Sequence, residues 1–255
     1  MSAAPTYFEA PWPRPPLDDC CFYHSVDLPG IGPIAGQWDI RPDFENYTGG
    51  LDWAGKSVLD VGTCTGFTAF ELERRGAHVT AFDADSVARF TWVPFAGTVY
   101  HQQRSVWNAA SEGGLIAYKK AFWLSWHALQ SRARVVYGDI SRVSEIVPQH
   151  DVVLACAVLE HLSDPITVIA QCARLAREAV VIGFTPIDMD EEPLMRPLQA
   201  WTADHPYAWW RLSLGLYRQV FRQLGFEMAA RPAYAIFGDI RAERHTIVAR
   251  RVAPP

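Results

Sequence analysis

Polar and apolar positions along this chain follow two periods, one typical of strands and one typical of helices. Short continuous apolar runs rich in Val, Ile and Ala predict strands buried on both faces of a parallel sheet. The predicted strands are Ser57–Val61, His78–Phe82, Val135–Asp139, Asp151–Ala157, Ala179–Phe184, Phe226–Ala230 and His245–Arg251. Apolar residues at helical spacing predict helices at Ile116–Leu129, Ile166–Ala176 and Leu214–Leu224. The pattern predicts an α/β fold, with a mostly parallel seven-stranded sheet and helices on both faces; the last strand alternates as an edge strand would.

The stretch joining the first two predicted strands has the form of a nucleotide-cofactor site. Gly62–Gly66 is a predicted turn, a helix follows it and ends at Gly76, and the second strand delivers Asp83 to the edge where open α/β sheets bind ligands. A dinucleotide site needs G-x-G-x-x-G, whereas this turn has G-x-x-x-G and follows Asp60. A carboxylate there would repel a pyrophosphate and hold a cationic amino acid group. The alternative is another doubly wound domain with an ordinary glycine turn.

With Asp83 as a second acid, D-V-G-x-x-x-G resembles motifs I and II of class I methyltransferases that depend on S-adenosylmethionine (SAM). The resemblance implies a Rossmann-like sheet of strand order 3-2-1-4-5-7-6 and SAM as the cofactor. The cofactor-binding residues that it implies are Asp60, Gly62, Thr63, Cys64, Gly66, Asp83, Ala84, Asp139, Ile140 and Cys156. Cys64-Thr65 departs from the glycine, serine or aspartate usual at the middle of this turn.

Two acids have named roles in this resemblance, and each has an alternative. Asp83 is expected to accept both ribose hydroxyls; alternatively it caps the turn and Asp85 holds the ribose. Asp139 is expected to accept the adenine amino group while Ile140 packs on the ring, and the alternative for Asp139 is the cap of a following turn.

Three residues are candidates for catalysis. Leu159, His161, Asp164 and Pro165 resemble the family's L-x-H-x-x-D-P stretch, in which the histidine either acts as a general base or shapes the pocket wall. Asp164 and Pro165 also predict the start of a helix. His24 lies in Tyr23–Leu28, which resembles a segment of a methyltransferase group similar to the tRNA wobble-uridine enzymes; a packed histidine is the alternative. The candidates are His161, His24 and Glu160, and His101 is a further proton acceptor.

Three regions fall outside the predicted strands and helices of the sheet: an N-terminal arm and lid (1–50) and insertions at 86–134 and 186–212. Prolines predict that residues 1–19 are extended, and glycines and prolines predict an irregular segment at 21–41. Gly113-Gly114 predicts a break before the helix that starts at Ile116. All ten tryptophans lie outside the cofactor unit and the central strands. They predict an aromatic lid over the carboxyl edge; the alternative, favoured for most of them, is packing onto the sheet.

Composition narrows the class of protein. At 255 residues and 49% hydrophobic, the chain predicts one domain covering 1–255. A net charge of −5 disfavours nucleic acid as the main partner. Five cysteines without a C-x-x-C pair, no spacing typical of a metal site, no leader pattern and no long apolar run predict a metal-independent, cytoplasmic protein that does not enter a membrane. The sequence does not indicate an oligomeric state.

The sequence therefore predicts a SAM-dependent methyltransferase acting on an O, N or C atom of a small, hydrophobic or aromatic metabolite. O- or N-methylation is favoured, and C-methylation is the alternative. One alternative is a tRNA-modifying methyltransferase acting on a wobble uridine derivative. Another is a SAM-binding protein without turnover.

Overall fold

The computed structural model describes residues 8–91, 99–197 and 209–252. In this part of the chain the strands are β1 (Val26–Leu28), β2 (Gly32–Ile34), β3 (Trp38–Asp39), β4 (Ser57–Val61), β5 (His78–Asp83), β6 (Arg134–Tyr137), β7 (His150–Cys156), β8 (Ala176–Thr185), β9 (Ile187–Asp188), β10 (Met195–Pro197), β11 (Trp210–Ser213), β12 (Phe226–Phe237) and β13 (Ile240–Arg251). The α-helices are α1 (Phe44–Tyr47), α2 (Phe67–Arg74), α3 (Val99–Gln102), α4 (Arg104–Ala128), α5 (Val143–Ile146), α6 (Pro165–Leu175) and α7 (Leu214–Gln223).

The described strands build one main sheet of eight, in the order β3-β12-β13-β8-β7-β4-β5-β6. The five strands from β6 to β8 are parallel, and β13, β12 and β3 add antiparallel neighbours. In chain order, the seven predicted strands correspond to β4, β5, β6, β7, β8, β12 and β13. Without β3, and read from β6 to β12, the observed order is the predicted 3-2-1-4-5-7-6. The Rossmann-like fold is therefore confirmed. The eighth strand is the short β3, which pairs with the end of β12 and was not among the seven predicted.

Both faces of the parallel strands are covered, as their apolar runs predicted. One buried cluster combines Phe82, Val153 and Ile182 with side chains of α5, α6 and α7. The other combines Val58 and Leu154 with side chains of α1, α2 and α4. Burial of both faces explains why these strands lack the polar alternation of a sheet with one solvated face.

Helix α4 corrects the predicted break at Gly113-Gly114. The helix runs unbroken from Arg104 to Ala128 and includes both glycines, so the predicted break before Ile116 was wrong. Nothing lies within 4 Å of a Cβ built on either glycine. An exposed glycine costs a helix only about 1 kcal/mol relative to alanine, and the packing of the inner half of α4 on the sheet outweighs that cost.

The last two strands form a longer hairpin than predicted, and the edge position assigned to His245–Arg251 was wrong. β13 lies between β8 and β12, and its pairing with β8 starts at His245 opposite Thr185. The preceding part of the hairpin extends past the end of β8. The alternation of polar and apolar residues in His245–Arg251 therefore occurs in a strand that is paired on both sides.

The N-terminal region is more regular than predicted. Segment 21–41 contains the hairpin of β1 and β2 and the short β3. Residues 8–16 have no helix or strand, as the prolines predicted, and Leu17–Asp19 is a single 3₁₀ turn. The Glu9 N–H donates to the Val135 carbonyl at 2.8 Å, so the arm lies along the outer edge of β6.

The tryptophans in the described part of the chain do not form one lid. Trp53, Trp123 and Trp209 are 1–3% exposed, which agrees with packing onto the sheet. Trp12 stacks on Trp123 at 6.2 Å beside β6, whereas Trp38 contacts Phe184 at 5.8 Å beside β8. Trp92 and Trp201 lie outside the described residues. The predicted convergence of all three regions above the carboxyl edge is therefore wrong for Trp53, which precedes β4 at the opposite edge.

The second insertion contains a three-stranded sheet of β10, β11 and β9. β11 pairs in parallel with β9 and leads directly into α7, whose N-cap Ser213 accepts from the Leu216 N–H. Among the described helices, none is long and apolar enough to cross a membrane.

Candidate active site

The turn after β4 is held against the end of β5 by its backbone. The Gly62 and Thr63 N–H groups both donate to the Phe82 carbonyl, at 2.8 and 3.1 Å. Gly66 has φ +85°, and a Cβ there would meet ring carbons of Phe70 and Phe122 at 2.5 Å. Glycine is therefore required at Gly66 both by conformation and by close packing.

Backbone strain marks the same edge of the sheet. Of the four described non-glycine residues with positive φ, three lie at or just after the carboxyl ends of parallel strands: Cys64 (52°), Ala157 (51°) and Phe184 (49°). Such conformations cost about 1–3 kcal/mol each and cluster at functional sites. The carboxyl edge of β4, β7 and β8 is thus where the fold stores strain.

Asp83 closes the turn. Its Oδ2 accepts the Cys64 N–H at 2.6 Å and its Oδ1 accepts its neighbour Ala84 N–H at 2.7 Å. Burial raises the pKa of Asp83, although both hydrogen bonds and the charge of Lys119 oppose that shift. Asp85 instead faces solvent and pairs with Arg89 at 3.1 Å. Of the two acids, only Asp83 contacts the glycine turn.

Asp60 lies deeper, on β4, and is 2% exposed. Among the described residues, its Oδ2 and the Thr63 Oγ1 are buried without a hydrogen-bond partner. Burial raises the pKa of Asp60 to about 7. An unpartnered carboxylate oxygen in the interior costs free energy, so a cationic group near this position would be stabilised.

A small open pocket of about 350 Å³ lies beside the ends of β5 and β6. It is lined by Asp85, Arg89, Tyr137, Gly138, Asp139, Arg142, Glu145 and Ile146. Asp139 also caps the following 3₁₀ turn, since its Oδ1 accepts the Ser141 N–H at 2.9 Å. Asp139 therefore caps this turn and also lies beside the pocket. Ile140 packs against the core cluster of α6 instead of lining this pocket, and Ile146 lines it.

The two predicted site cysteines are half-buried thiols. Burial raises the pKa of both Cys64 and Cys156 well above the ordinary value, so both are neutral near pH 7. Cys156 Sγ is 3.8 Å from the Tyr47 carbonyl and lies against Gly183, where a Cβ would come within 2.2 Å of it. Cys156, the last residue of β7, thus packs against β8 and α1.

Glu160 follows β7 and forms a buried ion pair. Its Oε1 accepts from Arg244 Nη1 of β13 at 2.5 Å, and the same Nη1 lies 3.3 Å from the Phe184 carbonyl. The Glu160 side chain is 1% exposed and that of Arg244 28%. Among the described residues, Glu160 Oε2 is buried without a hydrogen-bond partner. The pair joins the end of β7 to the hairpin of β12 and β13.

The predicted histidines lie in different surroundings. His24 is buried; among the described residues its Nδ1 has no partner, and burial lowers its pKa to about 4. His161 is half-buried beside Glu160, and its carbonyl accepts from Trp209 Nε1 at 3.2 Å. His101 is exposed on α3. His24 and the His161 segment belong to the same edge, whereas His101 belongs to the insertion.

Sequence reasoning missed four residues of this edge: Tyr23, Tyr47, Arg244 and Lys119. Burial raises the pKa of Tyr23, and Cys64 and Glu160 lie close enough to raise it further. Tyr47 stacks on Phe184 at 5.2 Å. A signal existed only for Lys119, a charge one turn from Leu115 and Trp123 on the apolar stripe of a predicted helix. The others are brought in by tertiary contacts.

A larger groove of about 1050 Å³ lies at the amino ends of the strands, around Ser57, His78 and His150. None of the predicted site residues lines it. Its size does not make it the site, because parallel α/β sheets bind ligands at the carboxyl edge. In the described residues, no group of three or more His, Cys, Asp and Glu side chains is suited to a metal ion.

Comparisons with known proteins agree with this fold. The ubiquinone biosynthesis O-methyltransferase of Hahella chejuensis is 29% identical over 163 residues, covering 61% of this chain and 52% of that protein. That of Aromatoleum aromaticum is 28% identical over 183 residues, covering 64% and 62%. The chain thus spans between half and two thirds of the length of these relatives.

A solved structure from Burkholderia thailandensis, 1,6-didemethyltoxoflavin-N1-methyltransferase with 1,6-didemethyltoxoflavin and S-adenosylhomocysteine (SAH) bound, has a TM-score of 0.51 and 17% identity. The alignment covers 84% of this chain and 78% of the Burkholderia protein, and the likeness supports the fold. The family model of the methyltransferase domain matches residues 43–230. Since this match covers most of the chain, the protein belongs to the methyltransferase domain family, and the class I SAM-dependent methyltransferase indicated by D-V-G-x-x-x-G is confirmed.

Proposed function

We propose that this protein transfers the methyl group of SAM to an oxygen or nitrogen atom of a small, planar, largely apolar acceptor. The observation that carries the proposal is the carboxylate of Asp83, bonded to the Cys64 N–H of the glycine turn at 2.6 Å and next to the pocket at the ends of β5 and β6. We call the turn 62–66, Asp83 and this pocket the cofactor side.

The residues of the cofactor side fit SAM. We assign Asp83 to the ribose hydroxyls, Asp139 and Ile146 to the edges of the adenine, and the unpartnered oxygen of Asp60 to the ammonium of the methionine portion. Thr63 Oγ1, also unpartnered among the described residues, is a further hydrogen-bonding group there. When bound, SAM supplies a methyl group already activated on a sulfonium, so the protein has to align the acceptor and exclude water.

The acceptor side consists of Tyr23, His24, Glu160, Phe184 and Arg244. Aromatic rings wall it: Phe184 stacks on Tyr47 and meets Trp38 edge-on at 5.8 Å. Flat apolar walls favour a planar apolar acceptor, and the Glu160–Arg244 pair adds a polar group at one end. This combination supports a small molecule carrying a hydroxyl or amine as the acceptor.

Among the three candidate bases, we favour His161 over His24 as the group that takes the acceptor's proton, since Glu160 already accepts from Arg244. A histidine with a pKa near 4 is a weak base, since an efficient general base has a pKa near the working pH. His24 then serves as a neutral wall of the acceptor side. This role corresponds to the alternative given above for His24, a packed histidine, here at the acceptor side.

Calorimetric titration with SAM and SAH tests the proposal, with NAD as the control ligand. We expect one site per chain with a dissociation constant of about 1 µM or lower for SAM or SAH, equivalent to about −8 kcal/mol, and no heat with NAD. Binding of NAD without SAM or SAH would replace the proposal with a dinucleotide enzyme. Transfer of label from methyl-labelled SAM to a panel of phenols and aromatic amines then identifies the acceptor class.

A further inference from the structure

Lys119 is a charged side chain in the middle of an apolar helix face. On α4 it lies one turn after Leu115 and one turn before Trp123, both of which are buried. Lys119 itself is only 6% exposed. Burial of an ammonium costs free energy unless polar or charged partners compensate. Its partners therefore indicate what the residue does.

The Lys119 ammonium contacts two neighbours of Asp83, one further along the chain and one on the adjacent strand β6. Nζ donates to the Asp85 carbonyl at 2.7 Å, just past the end of β5. Nζ also lies 4.3 Å from the ring centroid of Tyr137, which pairs with Asp83 across β5 and β6. Residues paired across neighbouring strands present their side chains on one face. The ammonium is therefore adjacent to the strand end that carries the Asp83 carboxylate.

The charges around this ammonium are mainly negative. The carboxylates that act on Lys119 are those of Asp83, Glu112, Asp85 and Glu9. The titratable groups that face Asp83 are Lys119 from α4, Asp60 from β4, Cys64 from the turn and Tyr137 from β6. Among the described residues, Lys119 is the cation acting on the Asp83 carboxylate.

We propose that Lys119 is a positioning residue of the cofactor side: its ammonium, held by the Asp85 carbonyl beside Asp83, compensates the charge of the carboxylate that would accept from the ribose hydroxyls. This role rests on the proposed function. It also assigns the long helix of the first insertion to cofactor binding, in addition to any contact with the acceptor.

Asp83 needs a nearby cation because its carboxylate is buried. Burial raises the pKa of Asp83 and lowers the pKa of Lys119, and each charge opposes the shift of the other. A protonated carboxyl has a donor where a ribose hydroxyl also has one, so only the ionised form accepts from both hydroxyls. Without the lysine, the fraction of ionised Asp83 falls at a given pH.

The test is SAH affinity between pH 6 and pH 8.5 in Lys119→Met, which keeps the apolar stem and removes the charge. We expect about tenfold weaker binding at pH 7.5, with a larger loss at lower pH because Asp83 titrates at higher pH without the cation. Lys119→Arg should recover part of the affinity. The matched control is Lys120→Met, because Lys120 is on the same helix and pairs with Asp19 at the surface; it should bind like the wild type.

A lysine that only stabilises the fold would weaken binding equally at every pH, or not at all, and either result overturns the role. A second measurement uses the Asp83→Asn background, in which Lys119→Met should change SAH affinity by less than about twofold, since no carboxylate is left to hold. An undiminished effect there contradicts the proposal. If Lys119→Met does not fold, Lys119→Gln takes its place in both measurements.

The outcomes separate this role from the proposed function. Wild-type protein that fails to bind SAH at any pH overturns the proposed function and this role with it. Wild-type protein that binds SAH, together with a folded Lys119→Met that binds equally well from pH 6 to pH 8.5, overturns this role alone.

Discussion

The cofactor side and the acceptor side meet at one edge of the sheet, yet they are assembled differently. On the cofactor side, Asp83 is satisfied by backbone N–H groups of Cys64 and Ala84, within one strand–turn–helix–strand unit. On the acceptor side, one oxygen of Glu160 accepts from Arg244, which lies 84 positions away on β13. The first arrangement depends on local backbone geometry and the second on the docking of distant segments.

This difference has a consequence for tolerance to change. A site fixed by turn geometry fails when the turn changes shape, whatever the side chains around it. A site fixed by a buried ion pair fails when one charge is removed, because the remaining charge stays buried without compensation. The cofactor side should therefore be sensitive to glycine and backbone substitutions, and the acceptor side to charge substitutions.

Removal of Arg244 should have the largest effect on stability. Arg244→Met leaves the buried Glu160 carboxylate unpaired, and we expect a loss of about 3 to 5 kcal/mol in the free energy of unfolding. Urea denaturation measures the loss. The double variant Arg244→Met with Glu160→Gln should recover much of it, because no buried charge remains; a double variant no better than the single one would show that the pair is not the cause.

Asp60 should make the stability of the ligand-free protein depend on pH. Its folded pKa, about 7, is raised above the ordinary value of 3.8, so the folded state binds more protons than the unfolded chain between these values. Its contribution to stability is fully present below pH 4 and is lost as the pH rises through 7. Relative to wild type, Asp60→Asn should therefore gain on the order of 3 kcal/mol between pH 5 and pH 8.

Urea denaturation of both proteins at several pH values checks this trend. A difference between wild type and Asp60→Asn that is constant from pH 5 to pH 8 would contradict it. SAH at saturation should reduce the trend, because a bound ammonium compensates the Asp60 charge.

Substitution by alanine should have opposite effects on stability at two glycines, one in the turn of the cofactor side and one in helix α4. Gly66→Ala places a Cβ at positive φ and against two phenylalanine rings, so we expect a loss of about 2 kcal/mol or more and weak SAH binding. Gly113→Ala adds a helix former to an open position of α4 and should raise stability by about 1 kcal/mol with unchanged binding. Thermal unfolding measures both, and destabilisation by Gly113→Ala would show that α4 is not continuous there.

The sequence predicted the parts of the fold that depend on local pattern. The strand Ser57–Val61 and the helix capped by Asp164 were predicted closely, because apolar runs, glycine stops and cap residues act over a few positions. The length of β12 and β13 and the continuity of α4 could not be predicted, since they depend on what packs against them. A helix can continue through a glycine pair such as Gly113-Gly114 when packing of its buried face stabilises it.

The same division holds for the site. D-V-G-x-x-x-G and Asp83 were recognisable because one short unit carries them all. Arg244 was not, because nothing in its strand indicates that Glu160 lies opposite. Ile140 was assigned by resemblance, and the pocket beside Asp139 is lined instead by Ile146, which lies further along the chain at the end of α5.

The central claim is that Asp83, and not Asp85, binds the ribose of SAM at the end of β5. Calorimetric titration of SAH into wild type, Asp83→Asn and Asp85→Asn tests it most directly. Charge-assisted hydrogen bonds contribute about 1.5 to 3 kcal/mol each, so Asp83→Asn should bind at least about tenfold more weakly. Asp85→Asn should bind within about twofold of wild type, because its side chain forms a surface pair with Arg89. Wild-type affinity in Asp83→Asn, with binding abolished in Asp85→Asn, would contradict the account.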